Sequence, residues 1–166
     1  MPQDAISLLK QQHKSTQETL MALTNTTERG IKIRHELLAK LRSELTQHML
    51  IEEEIFYPAF KAAVERKKDK RLYYEAHEEH KAAKAVLKDL ARADASSVAF
   101  GAKAKVLKEL IEHHVEEEEN EMFPRAREAF TKQELVELAE RMQARKQAIE
   151  NGRAWDRVAS SSHPAE

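Results

Sequence analysis

The chain carries one pattern of histidine, glutamate and proline twice. A first set of recurring residues is offset by 67 positions, so that Gln11-Gln12-His13-Lys14 returns as Glu78-Glu79-His80-Lys81. A second set is offset by 66 positions: Leu41, Leu45, His48, Glu52, Glu53 and Pro58 return as Leu107, Ile111, His114, Glu118, Glu119 and Pro124. Such a repeat indicates one structural unit present in two copies. Copies packed about a pseudo-twofold axis would place equivalent residues opposite one another.

Each copy has the spacing of a pair of amphipathic helices. Three Gly and four Pro in 166 residues are far below the ~12% of average usage, which argues against a turn-rich sandwich or barrel. Gly30, Pro58, the stretch 94–97 and Pro124 divide the chain. We predict helices over about 4–23, 30–56, 72–91 and 98–124, with the second kinking or ending at Pro58. The fold class is all-α, an up-down-up-down four-helix bundle over residues 1–130.

A fifth helix is predicted after the bundle. Thr131-Lys-Gln-Glu134 reads as a capping box, in which two side chains satisfy the first free amides of a helix. This helix covers residues 131–150 and packs on the bundle or extends it. Residues 151–166 are interpreted as a flexible tail, in which Trp155 is a lone anchor at most.

Composition excludes several classes of protein. Lys and Arg number 28 against 29 Asp and Glu, so no net field recruits nucleic acid or an anionic membrane. The chain has no cysteine, which rules out disulfides and thiolate metal sites. Neither a signal peptide nor an apolar run long enough to cross a membrane is visible. We expect a cytoplasmic protein, a monomer or a small homo-oligomer, without nucleic-acid or membrane partners.

The repeat places polar groups on the apolar faces of the helices. His48 and Glu52 lie four residues apart in the row that continues Leu41 and Leu45, and His114 and Glu118 do so in the row of Leu107 and Ile111. A buried carboxylate or imidazole without a partner is costly. Metal cations would turn the cluster into ligands, and nitrogen and oxygen donors without sulfur suit Fe, Mn or Zn. We therefore predict two metal ions, held by His13, His48, His80, His114, Glu52 and Glu118.

Alternatives remain at neighbouring positions. His113 and Glu117 share the spacing of His114 and Glu118, and only the repeat favours the latter pair, because His114 precedes Pro124 by ten residues as His48 precedes Pro58. Glu53 and Glu119 are candidates for orienting imidazole N–H groups. Phe56, Tyr57 and Phe123 are interpreted as core wall around the site. His35 and His163 are expected to face solvent.

At these residues the sequence resembles the hemerythrin family, specifically the bacterial HHE cation-binding domains, over about residues 4–127. The shared motifs are a His in the first helix, His-x-x-x-Glu followed by Pro in the second, Glu-His in the third, and His-x-x-x-Glu with Pro in the fourth. Here they read as His13; His48, Glu52 and Pro58; Glu79 and His80; His114, Glu118 and Pro124. The resemblance implies a non-haem site with two iron ions, bridged by Glu52 and Glu118 and by an oxo or hydroxo group.

The chain departs from the oxygen-carrying members of that family. These members have two third-helix histidines four residues apart and an Asp five residues after the last His. Here Ala76 occupies the place of the extra histidine, His77 lies three residues before His80, and Glu118 follows His114 by four. His77 is included among the candidate ligands as a fifth imidazole, because residues i and i+3 are neighbours on a helix; the alternative is a surface histidine beside the site. The lower histidine count favours sensing, peroxide or NO chemistry, or iron handling over simple O₂ carriage.

Three functions follow as hypotheses. The first is a di-iron protein that binds or senses O₂, NO, peroxide or iron. The second is an enzyme of peroxidase, catalase or oxidase type, since a metal pair with an open position could reduce peroxide. The third is a regulatory interaction module in which the metal only stabilises the fold. The sequence does not separate them.

Overall fold

A computed structural model describes the backbone of residues 2–161 and the side chains of residues 2–152. The described backbone forms five helices. Their bounds are α1, Ala5–Thr24; α2, Ile31–Ile51, extended by Glu52–Phe56 and Tyr57–Ala63; α3, Lys67–Arg92; α4, Val98–Glu117, extended by Glu118–Met122 and Phe123–Ala129; and α5, Lys132–Ser161. No strand occurs in the described backbone. Short connections join α1 to α2, α2 to α3 and α3 to α4, so consecutive helices are antiparallel. The predicted all-α bundle with an additional C-terminal helix is confirmed.

Two helices pass through a turn of π-helix at equivalent places in the repeat. The turns span Glu52–Phe56 in α2 and Glu118–Met122 in α4, and each precedes a proline at the start of the next segment. The Tyr57 amide donates to the carbonyl oxygen of Glu52, five residues back, and the Phe123 amide donates likewise to Glu118. The prediction that α2 ends or kinks at Pro58 was incomplete, since α2 continues to Ala63. A π turn accommodates the missing proline amide without ending the helix.

Acidic and basic side chains set the start of α3 earlier than predicted. The helix begins at Lys67, five residues before Leu72. Arg66 donates two hydrogen bonds to Asp69, at 2.7 and 3.2 Å. Asp69 lies in the first turn, where a carboxylate favours helix formation through the macrodipole. Local charge therefore extends a helix beyond its apolar stripe.

The core consists of two apolar clusters with the polar residues between them. One cluster joins the Phe56–Phe60 end of α2 to α1, α3, α4 and α5; Leu9, Phe56, Phe60, Phe123 and Met142 are among its fully buried members. The other joins the opposite ends of α1 to α4 through side chains such as Leu20, Leu41, Leu90 and Leu107. The buried histidines and glutamates belong to neither cluster, so they form a polar layer across the bundle.

Helix α5 packs on the first cluster. Thr131 and Glu134 form the predicted capping box: the Thr131 amide donates to Glu134 at 2.7 Å, and the Glu134 amide to the Thr131 hydroxyl at 3.2 Å. The predicted end near Glu150 is too early, because the helix continues to Ser161. Gly152 lowers helix propensity by only ~1 kcal/mol. The tail prediction for 162–166, with His163, and the side chain of Trp155 lie outside the described residues.

None of the helices, over the residues described, combines the length and hydropathy needed to cross a membrane.

Candidate metal centre

Four imidazoles and two carboxylates meet in the polar layer. His13 comes from α1, His48 and Glu52 from α2, His80 from α3, and His114 and Glu118 from α4; each is at most 5% exposed. Their donor atoms form two groups, each compact enough to surround one cation: His13, His48, Glu52 and Glu118; and Glu52, His80 and His114. Because Glu52 belongs to both groups, its two oxygens lie between two candidate metal positions.

The first position is surrounded by atoms that have no hydrogen-bond partner. Glu52 Oε1 lies 3.1 Å from His48 Nε2, and Glu118 Oε2 lies 3.1 Å from His13 Nε2. These four atoms are fully buried, and none makes a hydrogen bond. Buried polar atoms are nearly always satisfied in folded proteins. Lone pairs directed at a shared point are what a cation requires, so these residues fit a metal ion.

The second position contains the hydroxyl group of Tyr57. This oxygen lies 3.1 Å from His80 Nε2 and 3.4 Å from His114 Nε2. It also donates to one of two carboxylates, Glu118 Oε1 at 2.6 Å or Glu52 Oε2 at 3.2 Å. Burial, with the charges of Glu118 and Glu52, raises the pKa of Tyr57 well above its ordinary value. The site is therefore asymmetric, with a phenol at one position only.

A second ring of residues orients the imidazoles. The Nδ1 atoms of three histidines lie 2.6–2.9 Å from carboxylates: His13 from Glu119, His80 from Glu53, and His114 from Glu79. The fourth, His48, lies 2.8 Å from the amide oxygen of Gln12. Since these oxygens only accept, each Nδ1–H donates, and each Nε2 faces the centre. Contacts of this kind fix the tautomer and ring orientation of metal-binding histidines.

These contacts are arranged with the symmetry of the repeat. Glu53 and Glu119, whose contact with imidazoles was predicted, are equivalent and hold His80 and His13. Gln12 and Glu79 are also equivalent and hold His48 and His114. His48 therefore differs from the other three in having a neutral partner.

The pKa values of the imidazoles reflect the same difference between His48 and the other histidines. Burial opposes the charging of His13 and His80, but close contacts with the carboxylates of Glu118 and Glu119, and of Glu52 and Glu53, outweigh it and raise each pKa to about 9. Burial dominates at His48 and lowers its pKa. The pKa of Glu53 falls to about 2, chiefly through its hydrogen bond to His80. The metal-free centre therefore favours protonation of His13 and His80 and disfavours it at His48.

His77 lies beside this centre and in neither ligand group. Its ring packs against Tyr57 and Tyr73, with centroids 5.4 and 4.6 Å away. The His77 Nε2 atom is buried without a hydrogen bond but joins neither group of donor atoms. Its role as a fifth imidazole ligand therefore stays a prediction, and a surface histidine beside the site stays the alternative. The competing pair His113 and Glu117 points outward, since the His113 side chain is 63% exposed. His35 is exposed, as expected.

Tyr57 was predicted only as core wall around the site, but its hydroxyl group contacts the centre. In a regular α-helix Phe56, four residues after Glu52, would lie above it. The π turn adds a residue and places Tyr57 above Glu52 instead. The repeat held a signal: Tyr57 is equivalent to Phe123, so the copies differ by one hydroxyl group beside the proline. The predicted burial of Phe56 and Phe123 is confirmed.

Comparisons with known proteins agree with this arrangement. Residues 4–126 match the sequence profile of the hemerythrin HHE cation binding domain. The chain is similar to the crystal structure of a hemerythrin HHE cation binding domain-containing protein from Mycobacterium kansasii, with 29% identity and a TM-score of 0.78, over 92% of this chain and 91% of that one. The comparison with curated proteins gave no match.

Proposed function

Because this chain belongs to the hemerythrin HHE cation-binding family, we propose that its buried centre holds two iron ions and binds or senses a small ligand: O₂, NO, peroxide or iron itself. His13 and His48 would hold one ion, and His80 and His114 the other. Glu52 and Glu118 would bridge the two, and Tyr57 lies at the second position. Manganese and zinc have similar ligand preferences and are the competing metals.

One observation carries this proposal. Four buried donor atoms, the Nε2 atoms of His13 and His48 with Glu52 Oε1 and Glu118 Oε2, converge without hydrogen bonds. Leaving such groups unpaired would cost roughly 1–3 kcal/mol each, and more for charged groups. A shared cation removes that cost, because each lone pair becomes a ligand.

A small cavity supports a diatomic or peroxide ligand. It adjoins all four imidazoles, and about 10 Å³ of it is open to the centre of a water molecule. Such a volume is about the least that holds one water molecule. Its other walls are Thr16, Leu45, Met49, Ile111 and Val115. A mostly apolar wall disfavours bulk water beside the imidazoles, and the open space suits only a very small ligand.

The chemistry divides between the metal and the chain. Iron would supply a redox-active Lewis acid that can bind an exogenous ligand. Glu52 and Glu118 would balance the charge of the metal ions in a dry interior. The outer carboxylates, and the Gln12 amide at His48, keep each Nδ1 protonated, which directs each Nε2 inward. Tyr57 holds its hydroxyl proton in a hydrogen bond to Glu118 Oε1, in which the two oxygen atoms are 2.6 Å apart.

Elemental analysis combined with optical spectra tests the proposal. We expect about two iron ions per chain and an absorption band that differs between air and anaerobic conditions. Glu52→Ala should remove both, because Glu52 serves both groups. His35→Ala, an exposed histidine, is the matched control. A metal content unaffected by Glu52→Ala would contradict the proposal.

Enzymatic turnover and a purely structural metal are the competing functions. Peroxide consumption by the iron-loaded protein that disappears in Glu52→Ala would favour an enzyme. A stable, reversible O₂ or NO adduct would favour binding or sensing. A metal that changes helicity or association but shows no redox response would favour a regulatory module.

A further inference from the structure

We propose that the cleft between α1, α2 and α5 is the route by which a small neutral ligand reaches the centre. This inference rests on the proposed function, because it concerns access to that site. The cleft has a volume of about 570 Å³. Its walls come from α1 with Gln12 and Thr16, from α2 with Ser43 and His48, and from α5 with Lys146.

The cleft and the small cavity beside the imidazoles share two wall residues. Thr16 and His48 border both spaces. Thr16 is 3% exposed and His48 5%, so these side chains form the thin partition between solvent and the centre. A rotation of one threonine side chain would open this partition without moving a helix. Thr16 is therefore positioned as the gate.

A second cleft does not have this relation to the centre. It lies near Pro124, has a volume of about 300 Å³, and is bordered by residues such as Lys68, Asn120 and Glu128. None of its wall residues borders the small cavity. The presence of a cleft therefore does not by itself identify the route. The wall residues that the first cleft shares with the small cavity do.

The charges around the route favour neutral ligands. Lys40 lies 3.7 Å from Glu44, and Lys146 lies 4.0 Å from Glu150. The two cations are thus matched by two anions. The remaining polar wall residues carry amides or hydroxyls, such as Gln11 and Ser15, apart from the imidazole of His48. An anion gains no net attraction there and would have to lose its hydration in the cavity beyond. Dioxygen and nitric oxide carry almost no such cost, and hydrogen peroxide, which is neutral, carries much less of it than an anion.

Thiol accessibility tests the route without any metal. The chain has no cysteine, so Thr16→Cys introduces a single, nearly isosteric thiol. The probe is methyl methanethiosulfonate, which is small and neutral, and the readout is mass. The control Ala104→Cys places a thiol at a fully buried position outside the two spaces. We expect Thr16→Cys to react at least ~10-fold faster than this control, which reacts only through local unfolding.

Filling the cleft should close the route. Ser43→Phe narrows the wall and Gln11→Trp the exposed mouth, and each should slow the modification of Thr16→Cys several-fold. Glu128→Phe adds an aromatic ring to the second cleft and should leave the rate unchanged. The route is overturned if Thr16→Cys reacts no faster than Ala104→Cys, or if neither filling variant slows it.

Nitric oxide binding distinguishes failure of the route from failure of the proposed function. With iron-loaded protein and no oxygen, Ser43→Phe should slow association and dissociation by a similar factor and leave Kd unchanged, because a barrier on the path affects both directions equally. Unchanged rates would overturn the route. Absence of any adduct in the unsubstituted protein would contradict the proposed ligand, while thiol accessibility would still decide whether the route exists.

Discussion

Tyr57 and Phe123 occupy equivalent positions and contact the centre differently. The Tyr57 hydroxyl group contacts Glu52, Glu118, His80 and His114. The Phe123 ring instead stacks on His13, with centroids 5.7 Å apart and planes 7° from parallel. A single oxygen atom thus makes the surroundings of the two candidate metal positions different, although the candidate histidine and glutamate ligands follow the repeat.

Tyr57→Phe should separate the role of this hydroxyl from that of the ring. The substitution keeps the packing but leaves buried carboxylates without their donor, which should lower the free energy of unfolding of metal-free protein by about 1–3 kcal/mol. Metal should reduce the loss, because a cation compensates the same carboxylates. Urea unfolding with and without metal measures both. Tyr74→Phe, at an exposed tyrosine, is the control; an equal loss there would contradict the prediction.

The raised pKa values of His13 and His80 predict opposite pH dependences for stability and metal affinity. Each pKa is about 9 in the folded protein, above the ordinary value of 6.5. The stabilisation from protonation is therefore complete below about pH 6.5 and is lost as pH rises through about 9. Metal affinity should rise over that interval, because Nε2 must release its proton to coordinate.

Calorimetry and thermal melts measure the two effects. We expect the melting temperature of metal-free protein to fall as pH rises from neutral towards alkaline, and metal titration to release protons. His13→Gln should reduce the number of protons released. A metal affinity independent of pH would be inconsistent with these pKa values.

At the level of the helix, the two π turns determine which side chains reach the centre. Regular α-helical spacing would continue the buried row from Glu52 through Ile55 to Ala59. The extra residue of the turn shifts the row, so that Tyr57 and Phe60 are fully buried while Ala59 is only partly so. Regular spacing therefore accounts for the burial of His48 and Glu52 before the turn, and it is one position out after the turn.

Pro58→Ala should weaken the π turn. An alanine restores the amide that can donate to the carbonyl group of residue 54, which favours regular α-helix over the π turn. Relaxation would move Tyr57 away from Glu52. We expect metal affinity to fall several-fold with little change in helical content, measured by metal titration and far-ultraviolet circular dichroism. Pro2→Ala, before the first helix, is the control, and unchanged affinity in Pro58→Ala would contradict this role.

For the whole molecule, the polar layer lies between two apolar clusters and includes a residue from each of α1 to α4. Metal bound in this layer would link all four helices of the bundle. We expect metal to raise the free energy of unfolding by about 2.7 kcal/mol when its free concentration is 100 times Kd. A chelator should reverse the increase, as measured by thermal melts at several metal concentrations. In Glu52→Ala the melting temperature should not respond to metal; a full response there would contradict binding in this layer.

The sequence determined the helices, their order and the inward direction of His48, Glu52, His114 and Glu118, because apolar periodicity and a repeat are local properties that any reader of the chain can measure. Tertiary structure decided the rest. Gln12 and Glu79 contact imidazoles on other helices, Tyr57 reaches the centre through a π turn, and His77 packs against tyrosines outside both ligand groups. Such contacts depend on helix rotation and on distances between segments far apart in the chain, and a shift of one residue turns a side chain by about 100°.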